Sequence, residues 1–173
     1  MKRLVAILIF FSIKSAHAFT FIESAVEPVW SNLPLSIWYD PTNCHPDVES
    51  ALQEAISLWN SVSTSRMKMV LESAKVSVSP SVLYNQGSIV SPVVVCDPQF
   101  SSTASNVDPN VVAGFGFYSR MGTSMTYGGV IINADSTTQA RYDRMNYQQW
   151  VMLLAHELGH VMGLGHSSSE SCL

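Results

Sequence analysis

Charge is what this 173-residue chain has least of. Asp, Glu, Lys and Arg make up 13% of it, against about 25% in ordinary soluble domains, so its surface has to lean on Ser, Thr, Asn, Gln and Tyr. Positive charge is the scarcer sign. Nine Lys and Arg stand against thirteen acids, and three of the nine (Lys2, Arg3 and Lys14) fall in the first fourteen positions. No basic patch is left, which argues against nucleic acid as a partner. Long apolar runs are missing too: the almost wholly apolar stretch from Leu4 to Ile13 is about half the ~20 residues that a membrane-spanning helix needs. Neither an internal repeat nor a linker divides the chain, and its length suits one domain. What is present is apolar material for a core, 47% of all residues, so disorder is disfavoured as the general state.

The first eighteen residues read as an export signal. Lys2 and Arg3 form a basic start, an apolar stretch follows, and Ala16-His17-Ala18 has the small-x-small form that signal peptidase cleaves. Residues 19–173 are then the exported domain, secreted to an extracellular or periplasmic space. Loss of three cations takes its formal charge from −4 to −7. An uncleaved N-terminal anchor is the weaker alternative. Export permits disulfides. Of Cys44, Cys96 and Cys172, the first two are the preferred pair because both flank expected elements in the body of the domain. Cys172 either stays free or pairs with something outside this sequence.

Leu35–Tyr39 alternates like a strand, and the turn Asn43-Cys44-His45-Pro46 leads into a helix expected over Pro46–Asn60, with Val48, Ala51, Leu52, Ala55, Ile56 and Trp59 at helical spacing. Further strands are expected at Met67–Leu71, Val82–Tyr84 with Ile89–Val95, Val111–Tyr118 and Gly129–Asn133. Ser101–Asn110 reads as a polar loop and Gly128-Gly129 as a turn or a close backbone approach. A second helix should start at Asn146, with Gln149 completing a capping box, and run to about Met162, where Gly163 and Gly165 end it. The order strand, helix, strands, helix is that of an α+β domain with both helices on one sheet.

The informative segment is His156-Glu157-Leu158-Gly159-His160-Val161-Met162-Gly163-Leu164-Gly165-His166, which reads HExxHxxGxxH. On a helix, residues four apart share a face, so His156 and His160 can offer two imidazoles to one ion. A turn out of the helix at Gly163 can bring His166 back as a third ligand. Glu157 lies one step round the same helix, beside the coordination position left open for water. Three imidazoles with one open position is a catalytic zinc arrangement, since structural sites close all four positions with protein ligands. At this content of His, Glu and Gly, the whole string arises by chance in about one sequence in a hundred thousand. Accidental spacing is therefore a poor explanation. His45 stands apart and reads as a helix-start residue.

With Ser167 following, the string HELGHVMGLGHS resembles the metzincin zinc peptidases and looks most like their matrixin branch, including bacterial members. The resemblance implies a twisted, mostly parallel sheet with an antiparallel edge strand, an early helix and a zinc-binding helix. It also implies His156, His160 and His166 as the ligands of one catalytic zinc and Glu157 as general base. The histidines needed for a second, structural zinc are lacking. Asp108, Asp135 and Asp143 are scattered as turn or cap residues, so calcium is left open. No propeptide cysteine precedes the first strand. The methionine turn of matrixins would begin just where the sequence stops, so the chain reads as C-terminally incomplete.

The function expected is that of a secreted, monomeric zinc endopeptidase that hydrolyses peptide bonds with a zinc-activated water, its protein or peptide substrate extended along Val111–Tyr118. The alternatives are a secreted zinc-binding or adhesion domain without turnover, and a tethered form of the same domain. Tyr127 and Tyr142 are further candidates as transition-state stabilisers, with packing the plainer role for both.

Overall fold

The computed structural model describes residues 20–21, 29–88, 91–140 and 144–166. The expected export signal, Ile89, Tyr142, Asp143 and Cys172 lie outside the described residues. In chain order the elements are β1 (Thr20–Phe21), β2 (Leu35–Tyr39), α1 (Val48–Asn60), β3 (Met69–Lys75), α2 (Pro80–Gln86), β4 (Val93–Asp97), α3 (Phe100–Thr103), β5 (Gly114–Met121), β6 (Ser124–Asn133), α4 (Tyr147–Val161) and β7 (Leu164–Gly165).

Five strands form one sheet in the order β3-β2-β4-β6-β5. All neighbours are parallel except β5, which runs antiparallel to β6 along the outer edge. The run Val93-Val94-Val95-Cys96 is apolar on both sides because β4 is central and covered on both faces. On one face, Val48, Ala51, Leu52, Ala55 and Ile56 of α1 and Trp150, Leu154 and Leu158 of α4 pack over Ile37, Val94, Cys96, Val130 and Ile132. On the other, Leu83 of α2 and Phe100 of α3 cover Val93, Val95 and Ile131. A separate two-stranded ribbon pairs β1 with β7.

The α+β architecture and the pairing of both long helices on one face agree with the sequence reading, whereas several local boundaries do not. Val82–Tyr84 is not a strand. It lies in α2, where Ser79 is extended, Pro80 takes the first turn and only Leu83 is buried; one apolar anchor per turn outweighs the β-propensity of a short segment. The loop expected at Ser101–Asn110 includes most of α3, anchored by Phe100 and Ala104. Strand β5 starts three residues late because Asp108 closes a turn, accepting from the N–H of Asn110 at 2.9 Å. Gly128-Gly129 falls inside β6, and Ser91 bonds both ways with the main chain of Gly128 (2.7 and 3.1 Å), so close approach was the correct alternative and a turn was not.

Cys44, just ahead of α1, is bonded to Cys96 of β4, 52 residues away. The bridge fixes the start of α1 to the middle of the sheet. Closing a loop of that length removes chain entropy from the unfolded state. Replacing both cysteines by serine should lower stability by about 4 kcal/mol, read as a reduced denaturant midpoint. An unchanged midpoint would show that the bridge contributes nothing.

Candidate metal centre

The histidine helix is held from both sides by main-chain contacts. Its first turn is closed by the capping box: Asn146 Oδ1 accepts from Gln149 N–H at 3.0 Å, and Gln149 Oε1 from Asn146 N–H at 2.9 Å. Trp59, from α1, donates its indole N–H to the Ala155 carbonyl at 2.7 Å. Trp30 donates to the Val161 carbonyl at 3.0 Å. The chain leaves the helix through Gly163, whose φ of +94° lies in the region that side chains resist. Two residues of β7 follow, and then His166.

This path brings three residues of the motif to a point. The Nε2 atoms of His156, His160 and His166 are 3.1–3.2 Å from one another. Three ligand nitrogens about 2.0–2.1 Å from a tetrahedral zinc would be spaced by roughly 3.3 Å, so the set fits such an ion. Three lone pairs at this spacing have little other reason to converge. His160 Nδ1 lies 2.7 Å from the Leu164 carbonyl. A carbonyl only accepts, so this bond places the His160 proton on Nδ1 and frees Nε2 as a ligand. Burial holds the His156 and His160 imidazoles below their usual range, and the neighbouring histidines add to the effect. This favours the neutral form, the one that can bind a metal.

Glu157 is 5% exposed and lines the same cleft as the three histidines. Its Oε2 accepts a 2.6 Å hydrogen bond from the Gly116 N–H of β5. Burial pushes its carboxyl up to about 7, against the pull of that bond. The four side chains line a cleft of about 790 Å³, with Val107, Val111, Val112 and Phe115 on the strand side and Leu153 on the helix side. Val111 is 75% exposed at the rim. Buried Asn133 sets that rim, donating to the carbonyls of Pro109 (2.8 Å) and Val112 (3.0 Å).

Other residues singled out in the sequence lie elsewhere. His45 bonds Asp47 and stacks on Trp150. Tyr127 packs its ring against Gly87. Asp135 accepts from Ser101 and Thr137, a structural knot that holds its carboxyl down at about 2. Among the described residues, the three histidines are the only metal-competent cluster of three or more such side chains. Gly116 and Asn133 were not foreseen, since each acts on the site through bonds between segments far apart in sequence. The Leu164 carbonyl lies inside the motif, four residues from His160, but its bond to Nδ1 was not read from the spacing. The only sequence signal near Gly116 was the glycine spacing inside the Val111–Tyr118 strand.

A family model described as Matrixin matches residues 32–173. No curated protein matches the chain significantly.

Because the Glu157 carboxyl titrates higher in the folded chain than in the unfolded one, folding takes up a proton between about pH 4.5 and 7. Its contribution is fully present below that window and is lost as pH rises through it. The metal-free chain should therefore lose stability relative to its Glu157→Gln variant across this range, by up to about 3 kcal/mol. Urea midpoints of both proteins against pH would show it, and a constant difference would refute it.

Proposed function

The chain belongs to the matrixin family of zinc peptidases, and from that premise we propose that it is a secreted, monomeric endopeptidase in which His156, His160 and His166 hold one zinc ion and Glu157 is the general base. The observation that carries this reading is the convergence of three imidazole nitrogens beside a buried carboxylate in an open cleft. Such a donor set binds zinc and leaves a coordination position free. Held by these three nitrogens, zinc would supply a Lewis acid able to polarise the scissile carbonyl and to lower the pKa of water.

The chain's own residues do the rest. Glu157 accepts a proton from the attacking water and returns it to the leaving amine as the C–N bond breaks. A carboxyl raised toward 7 by burial suits both transfers near neutral pH. An extended peptide lies along the outer edge of β5, where main-chain bonds position it without reading much sequence. The cleft wall of Val107, Val111, Val112 and Leu153 is apolar, and among the described residues no Lys or Arg lines it, which favours uncharged side chains next to the scissile bond. Residues 1–18 are read as the export signal. The disulfide is consistent with an oxidising compartment. Among the described residues, no helix is long and apolar enough to cross a membrane.

Zinc content and cleavage of a mixed peptide library, measured together, test the proposal. The chain should hold one zinc, and Glu157→Gln should keep that zinc while losing about 10²–10⁴-fold in turnover. Substantial activity in the variant would remove Glu157 from its role. Zinc without cleavage in the unaltered chain would favour a binding or adhesion domain, and no zinc would overturn the metal centre.

A further inference from the structure

Strand β5 is the outer strand of its sheet, so alternate residues turn their main-chain groups away from β6. Register decides which ones. The Asn133 N–H donates to the Ala113 carbonyl at 2.8 Å, and the pairing continues with Gly114 opposite Ile132, Phe115 opposite Ile131 and Gly116 opposite Val130. Ala113, Phe115 and Phe117 therefore exchange hydrogen bonds with β6, while Gly114 and Gly116 face outward. An outward N–H on an edge strand is ordinarily open to water or to another strand. That of Gly116 is taken by Glu157 Oε2 at 2.6 Å. The approach depends on a missing side chain, because a Cβ at residue 116 would overlap the Glu157 carbonyl oxygen and press on His160.

We propose that Gly116 is a positioning residue whose edge N–H is reserved for the Glu157 carboxylate, so that a peptide docked on β5 pairs with Gly114 and the Gly116 carbonyl but not with the Gly116 N–H. This deepens the peptidase reading and rests on it. Its first consequence is that the strand receiving the substrate also aims the base, so the two share one rigid frame. The second concerns the ladder. A peptide that took the Gly116 N–H would have to displace Glu157, leaving a buried carboxylate without its donor, which is costly. The occupied amide thus withholds one ladder bond from any peptide that lies over Gly116.

Amide exchange followed by NMR on the full chain tests this without requiring turnover. The Gly116 amide should exchange at least about 10-fold more slowly than that of Gly114, and Glu157→Ala should abolish the difference. A peptide that the unaltered chain cleaves, bound uncut to Glu157→Gln, should slow Gly114 and leave Gly116 unchanged. Equal exchange at the two glycines in the free protein, or protection of Gly116 by the peptide, would overturn the proposal. A kinetic arm replaces the 115–116 amide by an ester, which removes the N–H without adding a Cβ. At unchanged zinc content, kcat should fall about 10- to 100-fold with KM within about 2-fold, as for loss of a bond to a charged group. A raised KM at unchanged kcat would instead make that N–H a substrate contact and also overturn it. Should the zinc-loaded chain cleave no peptide, the peptidase reading fails by that result alone, and the exchange rates of the free protein still decide the role of Gly116.

Discussion

The close packing of α4 against the edge strand β5 is the constraint on which the rest of the structure depends. At Gly116 the strand comes so near that no side chain fits between it and the main chain of Glu157, and the same contact supplies the donor for the Glu157 carboxylate. Elsewhere along the helix Trp59 bonds the Ala155 carbonyl and Trp30 the Val161 carbonyl, while Trp150, Leu154 and Leu158 pack in the core. Contacts to the main chain and to the apolar face together oppose rotation of the helix. The i, i+4 spacing of His156 and His160 is thereby held as a fixed pair of imidazole positions rather than two side chains on a mobile surface.

Sequence reasoning reaches those parts of this arrangement that are local. The histidine pair, the exit at Gly163 and the return of His166 are all encoded within eleven residues, and helical geometry converts spacing into direction. The capping box was legible for the same reason, as Asn146 and Gln149 are three residues apart. The central strand β4 announced itself by an unbroken apolar run. What stayed hidden depends on partners far apart in the chain. Nothing near Gly116 says that its N–H meets a carboxylate 41 residues later. Nothing in Asn133 says that it will hold the rim of the cleft through Pro109 and Val112. Short helices such as α2 escaped because a single buried Leu83 leaves no period to read.

Scarcity of charge shapes the site as much as the fold. Among the described residues Glu157 is the one acidic side chain lining the cleft, and it shares that lining with Val, Leu and Phe side chains and three imidazoles. In such surroundings the carboxylate form is poorly solvated, and a single amide donor has to offset part of that cost. A second nearby charge would have fixed the group in one protonation state. One hydrogen bond from the backbone of β5 instead leaves it close to balance.

The surroundings of the candidate metal centre follow the same economy. Two supports next to the histidines come from the main chain: the Leu164 carbonyl orients His160, and Gly163 turns the chain toward His166. Main-chain groups are set by the path of the chain and not by rotamers, so the site inherits its precision from secondary structure. The short ribbon of β1 with β7 extends this logic. It pairs Phe21 with Leu164 and Thr20 with Gly165, the two residues between the end of the turn and the third histidine. The segment that leads into His166 and carries the carbonyl orienting His160 is thereby given a hydrogen-bonded neighbour of its own. The geometry of three imidazoles thus rests on a strand edge, a helix and a ribbon meeting at main-chain groups, some bonded to one another and some, as at Ala155 and Val161, to an indole N–H.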